Sequence, residues 1–325
     1  GFESNIVVRT ALVNMYAKCG DLPKARILFD ELEKKDVVLW TTMIGMYVRY
    51  GNGEEALDLF EKMEENGVKP DVLSYVNALS ACMCPDALSK GESVHARIKE
   101  QGFESDIVVR TAIMSMYAKC GLFIEAHTIF DQLYVPSLVS WNVLIAGYVE
   151  HGLGDEALKC FSQMQDEGVL PNTSTYICVL KACGIVRSLE IGEDIDAEIR
   201  KQGLLQKDIM IANALLGMYV KCGMLDKASE VFKRILVPDV VSWTTLIAGY
   251  TEHGLANEGL KCFKKMQEEG FHPDAVTYMC ILKICGILGY LQVGEDIDAH
   301  VRQKGLLQRD IILCNTLIDM YAKCG

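Results

Sequence analysis

Apolar residues recur along the chain at helical spacing. One stripe is formed by four residues at positions i, i+3, i+4 and i+7, which share one helix face: Trp141, Leu144, Ile145 and Tyr148. A glycine-containing break follows at residues 152–154, and Gly168 with Pro171 ends the next stripe. Glycine accepts the left-handed cap conformation, and proline cannot extend a helix. The pattern therefore predicts pairs of helices joined by short turns.

One hexapeptide returns at a nearly fixed interval. MYAKCG begins at Met15, Met116 and Met320, and MYVKCG begins at Met218, so the intervals are 101, 102 and 102 residues. Such self-similarity marks an array in which each copy buries its apolar face against its neighbours. Valine pairs such as Val240–Val241 are too short for strands and lead into helical stripes. The sequence therefore predicts an all-α solenoid of helical hairpins.

Three unit lengths alternate in fixed order along this array. Each unit opens with an aspartate, or a residue in its place, followed in most units by a pair that is β-branched or otherwise apolar, and the lengths run 31, 35 and then 35 or 36 residues. We number the units as motifs 1 to 10 and predict these boundaries: 5–35, 36–70, 71–105, 106–136, 137–171, 172–207, 208–238, 239–273, 274–309 and a partial motif at 310–325. The chain, 1–325, is then one array that begins and ends within units, which indicates a fragment.

Composition adds a sizeable core and a negative charge. Hydrophobic residues make up 50% of the 325 residues and charged residues 23%, with a net charge of −12, which excludes a disordered chain. The longest apolar runs are far shorter than the roughly 20 residues that span a bilayer, so we expect no membrane segment. The thirteen cysteines recur at equivalent places, which favours reduced, buried thiols over a disulfide scaffold. Cys82 and Cys84 lack further residues at metal-ligand spacing, and we predict no metal.

The units resemble a known repeat. LVSWNVLIAGYVEHGLGDEALKCFSQMQDEGVLPN, residues 138–172, resembles the pentatricopeptide repeat, and the cycle of lengths resembles its PLS subclass of short (S), standard (P) and long (L) motifs. The resemblance covers the whole chain. It implies a right-handed superhelix of helical hairpins that binds single-stranded RNA in plant mitochondria or chloroplasts. It further implies the target-recognition part of a C-to-U RNA editing factor, with partner proteins of the editing complex.

In the family, one motif reads one base through its fifth residue and its last. Positions within a motif are counted here from the residue after the opening one, so the last position of a motif is the opening residue of the next. The resemblance assigns these fifth residues to base contact: Thr10, Thr41, Thr111, Asn142, Asn213, Thr244 and Asn315. It assigns these opening residues of the following motifs as their partners: Asp36, Asp71, Ser137, Asn172, Asp239 and Asp274. Threonine and asparagine can hydrogen-bond a base edge, whereas Val76, Ile177 and Met279 of the L motifs cannot. The alternative is that these polar residues are helix caps or solvated.

Two further sets of contacts follow from the resemblance. Second residues pack against bases: Val7, Val38, Val108, Val139, Met210 and Val241. Thirteenth residues bring a cation to the phosphates: Lys18, Arg49, Lys119, Lys221 and Lys323. Ordinary core packing is the alternative for the first set and solvated lysine for the second. Glu150 and Glu252 hold the thirteenth place in two P motifs, which weakens the phosphate interpretation there.

The family's pairing rules imply a base sequence. Threonine with aspartate favours guanine, asparagine with aspartate favours uracil, and asparagine with asparagine favours a pyrimidine. Thr111 with Ser137 matches no usual pair. An RNA running 5′ to 3′ along the chain is then read as G, G, any, uncertain, pyrimidine, any, U, G, any.

The net charge of −12 opposes an RNA ligand, because phosphate neutralisation normally dominates nucleic-acid affinity. Much of the acidity lies in a predicted second helix at 54–65, which we expect to face outward. A protein-binding α-solenoid scaffold, as in tetratricopeptide arrays, is the alternative function. Those arrays keep 34 residues per unit, unlike the cycle seen here.

No catalytic arrangement is found. A zinc deaminase needs an H-x-E and a C-x-x-C pair, and none of the six histidines begins an H-x-E. His151 and His253 occupy the same place in motifs 5 and 8, one 102-residue period apart, so we interpret them as repeat features. We therefore expect this chain to be no enzyme and to need no cofactor or small-molecule substrate, while a catalytic domain can follow in a longer protein. No targeting segment is expected in the chain, so an organellar location rests on the resemblance.

Overall fold

A computed structural model describes residues 6–308 and 310–325, apart from the side chains of residues 6 and 7. All regular structure in this part of the chain is helical, with nineteen α-helices and four short 3-10 helices. The chain divides into two units, Gly1–His151 and Gly152–Gly325, which we describe separately.

The first unit contains four hairpins and one further helix within its described residues. Its helices are α1 (Ile6–Cys19), α2 (Leu22–Asp30), α3 (Val37–Arg49), α4 (Gly53–Glu65), α5 (Val72–Ala81), α6 (Leu88–Glu100), α7 (Ile107–Lys119), α8 (Phe123–Asp131) and α9 (Leu138–Glu150). Short 3-10 helices lie at Pro85–Ala87 and Phe103–Ser105. Odd-numbered helices are the first helices of the predicted motifs, and even-numbered helices are the second.

The second unit repeats this arrangement. Its helices are α10 (Gly154–Asp166), α11 (Thr173–Val186), α12 (Leu189–Gln202), α13 (Ile209–Lys221), α14 (Leu225–Arg234), α15 (Val240–Glu252), α16 (Ala256–Glu268), α17 (Ala275–Leu288), α18 (Leu291–Gln303) and α19 (Ile311–Cys324). Short 3-10 helices lie at Leu204–Gln206 and Leu306–Gln308.

First helices lie side by side within each unit. In the first unit α1 packs on α3, α3 on α5, α5 on α7 and α7 on α9, and in the second the same series runs from α11 to α19. Second helices pack between consecutive first helices of the same unit, as α4 does with α3 and α5 and α16 does with α15 and α17. The first helices therefore form a layer in which each motif presents the same positions at one face. The predicted all-α fold of stacked hairpins is confirmed.

From motif 2 onward, the opening residue of each motif caps its first helix. The Asp36 carboxylate accepts a hydrogen bond from Leu39 N at 2.9 Å, and the Asp239 carboxylate accepts one from Ser242 N at 2.8 Å. The same cap is made by these residues: Asp71, Asp106, Ser137, Asn172, Asp208, Asp274 and Asp310. Such a cap contributes roughly 1 kcal/mol. We gave helix capping as an alternative role for the fifth residues. The structure shows that the opening residues make these caps.

Edge-to-face aromatic pairs hold each S motif against the next P motif. The rings pack at centroid distances of 4.9, 4.6 and 4.5 Å in these pairs: Phe29 with Trp40, Phe130 with Trp141, and Phe232 with Trp243. All three tryptophans are buried. Their indole N–H groups find no partner among the described residues, so these side chains contribute bulk and ring contacts.

The repeated hexapeptide forms the contact between an L motif and the following S motif. Its methionine is buried in three copies, against a glycine of the preceding second helix, where an added Cβ would come within 2.9, 2.7 and 2.5 Å: Met116 with Gly91, Met218 with Gly192, and Met320 with Gly294. The tyrosine hydroxyl that follows bonds to His95, Asp196 or Asp298 at 2.9, 2.7 and 3.0 Å. These contacts explain why the methionine and the tyrosine of the hexapeptide recur.

All thirteen cysteines are free thiols. Burial raises the pKa of Cys82, Cys183 and Cys262 to about 12, so these thiols remain protonated and unreactive at neutral pH. Among the described residues, no cluster of histidine, cysteine and carboxylate groups is suited to a metal ion. No helix in the described ranges is long and apolar enough to cross a membrane.

Candidate nucleic-acid interface

The second residues of the S and P motifs lie exposed on the first-helix layer. Their side chains are 54 to 64% exposed: Val38, Val108, Val139, Met210 and Val241. Core packing, the alternative interpretation, is therefore wrong for these five. Val7 lies outside the residues whose side chains are described. Contact with bases stays a prediction for the whole set.

Three further apolar residues occupy the same exposed place. Leu73 and Val276 are the second residues of L motifs, and Ile312 is the second residue of the partial motif. These three were not predicted as base contacts: Leu73 and Val276 belong to L motifs with apolar fifth residues, and Ile312 belongs to the partial motif. Their period along the chain is the signal that would have found them.

Thr41, the fifth residue of motif 2, is buried at the start of a hydrogen-bond chain. Its hydroxyl lies 2.6 Å from Ser74 Oγ, and Ser74 Oγ donates to Asp71 Oδ1 at 2.7 Å. Because a carboxylate only accepts, the Ser74 hydrogen points to Asp71, and Thr41 must donate to Ser74. The Thr41 oxygen is then left with acceptor capacity only.

Motif 8 repeats this chain. The Thr244 hydroxyl lies 2.6 Å from Thr277 Oγ1, which donates to Asp274 Oδ1 at 2.7 Å. Thr41 and Thr244 are only 4% and 7% exposed. The structure thus joins each predicted pair through the third helical residue of the next motif, which the sequence analysis did not identify.

Asn213, the fifth residue of motif 7, forms a different network. Its Nδ2 donates to Asp239 Oδ1 at 3.1 Å. Ser242 Oγ lies 2.6 Å from Asn213 Oδ1 and 2.9 Å from Asp239 Oδ1, so these two acceptors share the one hydroxyl hydrogen of Ser242. The Asn213 amide has two hydrogens, and only one is used in bonds to described residues. The side chain therefore offers one donor to a ligand.

Asp239 anchors this network as a carboxylate. Burial alone would raise its pKa, but hydrogen bonds from the Ser242 backbone, the Ser242 hydroxyl and the Asn213 amide outweigh burial and hold the pKa below its usual value. Asp239 is therefore ionised at neutral pH and can accept further hydrogen bonds.

A cavity of about 390 Å³ adjoins this pair in the second unit. Asn213 and Asp239 line it together with Met210, Val241 and Lys221. The structure thus brings a predicted base-reading pair, two predicted base-packing residues and a predicted phosphate-contacting lysine to one place. Ile177 also lines the cavity, so an L-motif residue that we expected to be silent forms part of its wall.

A second cavity, of about 500 Å³, lies in the first unit beside the predicted pair of motif 1. It is lined by Thr10 and Asp36, and by five other residues: Ala11, Asn14, Lys34, Lys35 and Leu39. Leu39 stands where Ser74 and Ser242 stand in the later motifs, so the third helical residue of motif 2 has no hydroxyl to offer this pair. We call these two spaces the Thr10 cavity and the Asn213 cavity.

The residues of the remaining predicted pairs lie on first helices or at their starts. The Thr111 hydroxyl donates to Ile107 O at 2.7 Å within its own helix, and no hydrogen bond between described residues links it to Ser137. Asn142 is half-buried on α9, whereas Asn172 caps α11 in the other unit. Asn315 is exposed on α19.

The thirteenth residues fall into two groups. Lys18, Arg49 and Lys221 are exposed. Lys119 Nζ contacts Glu150 Oε1 at 2.7 Å, and Lys323 Nζ contacts Asp319 Oδ2 at 2.7 Å. A phosphate would have to compete with these carboxylates at Lys119 and Lys323. The first group is therefore the better placed for phosphate contact.

Family models match these helices along the chain. Models described as PPR repeat family match residues 35–84, 136–184 and 238–286, and models described as PPR repeat match residues 7–37, 108–133 and 211–237. Together these matches cover more than half of the chain. The chain belongs to the pentatricopeptide repeat family.

Its relatives include longer pentatricopeptide repeat proteins. A chloroplastic one from Arabidopsis thaliana is 34% identical over 321 residues, which are 99% of this chain and 52% of the relative. A mitochondrial one from the same plant is 34% identical over 327 residues, which are 100% of this chain and 50% of the relative. The chain thus spans about half the length of these relatives.

A solved structure shares the fold. The maize pentatricopeptide repeat protein PPR10, in complex with an 18-nt psaJ RNA element, superposes with a TM-score of 0.77. The match covers 99% of this chain and 48% of PPR10 at 18% sequence identity. At that identity the likeness shows the fold alone, and it agrees with the pentatricopeptide repeat solenoid that the sequence predicts.

The equivalent histidines of motifs 5 and 8 are structural. His151 Nδ1 lies 2.9 Å from Gly147 O, and His253 Nδ1 lies 2.9 Å from Gly249 O, each at the end of a first helix. The acidic α4 is exposed at Glu54, Glu55 and Asp58. Negative charge therefore lies on a second helix, away from the first-helix positions that carry the predicted pairs.

Proposed function

We propose that this pentatricopeptide repeat chain binds single-stranded RNA along its first helices, with one motif contacting one base. The observation that carries the proposal is the Asn213 cavity. There a hydrogen-bonding pair stands beside two exposed apolar side chains and the ammonium group of Lys221. An unstacked nucleotide offers the complementary features: a polar edge, an apolar face and a phosphate.

The hydrogen-bond directions support specific bases. At Asn213 the site offers a donor from the amide and an acceptor from Asp239, which complements a carbonyl and the adjacent ring N–H of uracil. At Thr41 both the hydroxyl and the Asp71 carboxylate accept, which complements the two adjacent donors of guanine. These directions agree with the bases that the family's pairing rules assign to these motifs.

A solved relative supports the ligand class, and the names of others support the location. PPR10 was crystallised with an RNA element, and the Arabidopsis relatives carry chloroplastic or mitochondrial names. We propose an organellar protein whose motifs follow the PLS order and select a target for C-to-U RNA editing. In this proposal the chain recognises RNA and does not catalyse; editing-complex proteins would be its other partners.

A selection from randomised single-stranded RNA tests the proposal. We expect enrichment of an RNA with G at the first two read positions and U, G at the seventh and eighth. The selected RNA should bind more tightly than its duplex form and than unrelated RNA at about 150 mM salt. Equal binding of selected and unrelated RNA would refute base reading. Such a result, together with saturable binding of a protein partner, would favour the α-solenoid scaffold that the charge of −12 suggests.

A further inference from the structure

Asn14 lines the Thr10 cavity one helical turn beyond Thr10. Its Oδ1 is buried and has no hydrogen-bond partner in the described part of the chain. Leaving a buried acceptor unsatisfied costs roughly 1 to 3 kcal/mol, so native proteins rarely keep one without a reason. The amide oxygen of Asn14 therefore has room for a hydrogen bond that the described residues do not supply.

The equivalent position of motif 7 lines the Asn213 cavity in the second unit. Gly217 stands four residues after Asn213, as Asn14 stands four residues after Thr10, and Gly217 is part of the Asn213 cavity wall. In motif 4 this register holds Ser115. In motifs 1 and 7 the ninth residue thus lines the same cavity as the predicted reading pair, and in motif 1 this residue carries an amide.

Lys34 provides a second distinctive feature of this cavity. It lies in the turn between motifs 1 and 2, is exposed and makes no ion pair with any described residue. Its neighbour Lys35 instead donates to Leu32 O and lies over the Phe29 ring. The positions equivalent to Lys34 hold Val135 and Val237. The charge is therefore specific to the first site.

We propose that Asn14 and Lys34 are two further RNA-contacting residues, so that motif 1 holds its nucleotide by more than the Thr10 and Asp36 pair. Asn14 hydrogen-bonds the base, because its amide turns about a soft terminal torsion and can present either its acceptor or its donors. Lys34 contacts the phosphate of that nucleotide. The inference rests on the proposed RNA binding and adds contacts that the two-residue pairing rule does not contain.

Replacing Asn14 by a similar-sized apolar residue separates binding from folding. Asn14→Leu should not lower the melting temperature, because no internal hydrogen bond is lost. It should weaken binding of the selected RNA about tenfold and reduce discrimination among the four bases at the first read position. Asn14→Ser introduces the residue that motif 4 has at this position, and it should also reduce discrimination among the bases. This variant replaces Asn14→Leu in the test if leucine disturbs folding. Asn257→Leu, on the exposed face of α16, is the matched control and should leave binding unchanged.

Lys34→Val should act differently, because a phosphate contact carries no base information. We expect all four RNAs to weaken by the same factor, and the salt dependence of log K to become shallower by about 0.7. Lys99→Val, on exposed α6, is the control and should change neither quantity.

The outcomes distinguish this inference from the proposed function. If the wild-type chain binds no selected RNA, both fail. If it does bind but both Asn14 variants discriminate bases as the wild type does, the inference for Asn14 is wrong and RNA binding stands. A base-specific effect of Lys34→Val, or an unchanged salt slope, would contradict the phosphate contact.

Discussion

Motifs 1 and 2 carry the same reading pair, threonine with aspartate, in different surroundings. Thr41 is 4% exposed and is held by Ser74 in a chain that ends at Asp71. Thr10 is half-buried beside an open cavity, and Leu39 occupies the place of Ser74. The pair alone therefore does not determine a site. In motif 2 the third helical residue of the next motif links the threonine to the carboxylate, whereas in motif 1 that residue is apolar and the cavity holds the further polar groups of Asn14 and Lys34.

The largest effect should come from breaking the Thr41 chain. Ser74→Ala leaves the Thr41 hydroxyl buried without its partner and removes one hydrogen bond to Asp71, so the free energy of unfolding should fall by about 1 to 3 kcal/mol. Denaturant unfolding measures this change. The guanine preference at the second read position should fall as well, because the hydroxyl is free to turn.

Ser93→Ala, on the exposed face of α6, is the matched control and should change stability by less than about 0.5 kcal/mol. A Ser74→Ala protein with wild-type stability and wild-type guanine preference would show that the chain does not orient Thr41.

The next effect compares the two threonines directly. Thr41→Val should cost about tenfold in preference for guanine at the second position, because it removes the oriented acceptor. Thr10→Val should cost only about threefold at the first position, since Asn14 and Asp36 still line that cavity. RNAs that differ at one position measure both ratios. Equal losses would mean that the surroundings do not matter.

A smaller effect is expected at the exposed apolar residues. Met210→Ala should weaken all RNAs by about threefold, because it removes apolar area from the Asn213 cavity without changing hydrogen bonds. Stability should stay within about 0.5 kcal/mol, since the side chain is exposed. Leu170→Ala is a matched control at another exposed apolar residue and should leave RNA binding unchanged. A loss that depends on the base would indicate that Met210 contributes to specificity.

The smallest effect is that of pH at the carboxylate end of the Asn213 network. Hydrogen bonds lower the pKa of Asp239 in the folded chain, so its contribution to stability is present above the unfolded pKa and is lost as pH falls through the folded pKa. That window lies below about pH 4. Uracil preference should therefore be constant between about pH 5 and pH 8. A change in preference within that range, in wild type but not in Asp239→Asn, would contradict an ionised Asp239.

The sequence predicted the fold closely because its signals are local. Each described first helix begins one residue after an opening residue such as Asp36 or Asp239, since capping needs only neighbouring residues. The motif lengths fixed which helices are equivalent. The hairpin array follows from those two features.

The site was predicted less completely because its contacts cross motifs. Thr41 and Ser74 are 33 residues apart, and their bond depends on how α3 packs on α5. The place of Ile177 in a cavity wall, the pairing of Lys119 with Glu150, and the unpartnered amide of Asn14 likewise depend on neighbouring helices. The motif pattern predicts which positions read bases, and the packing of neighbouring helices determines which hydrogen-bond donors and acceptors those residues leave free.

The most direct test of base reading is the Asn213→Thr protein. A threonine at position 213 could bond to Ser242, which in turn could donate to Asp239, as Thr41 bonds to Ser74 and Ser74 to Asp71. The substitution is therefore compatible with the fold. Affinities should be measured for RNAs that carry each of the four bases at the seventh read position, with Asn257→Thr as the exposed control. We predict that preference shifts from uracil to guanine at that position alone, by about tenfold to a hundredfold. If Asn213→Thr binds the four RNAs in the wild-type ratio, these pairs do not read bases.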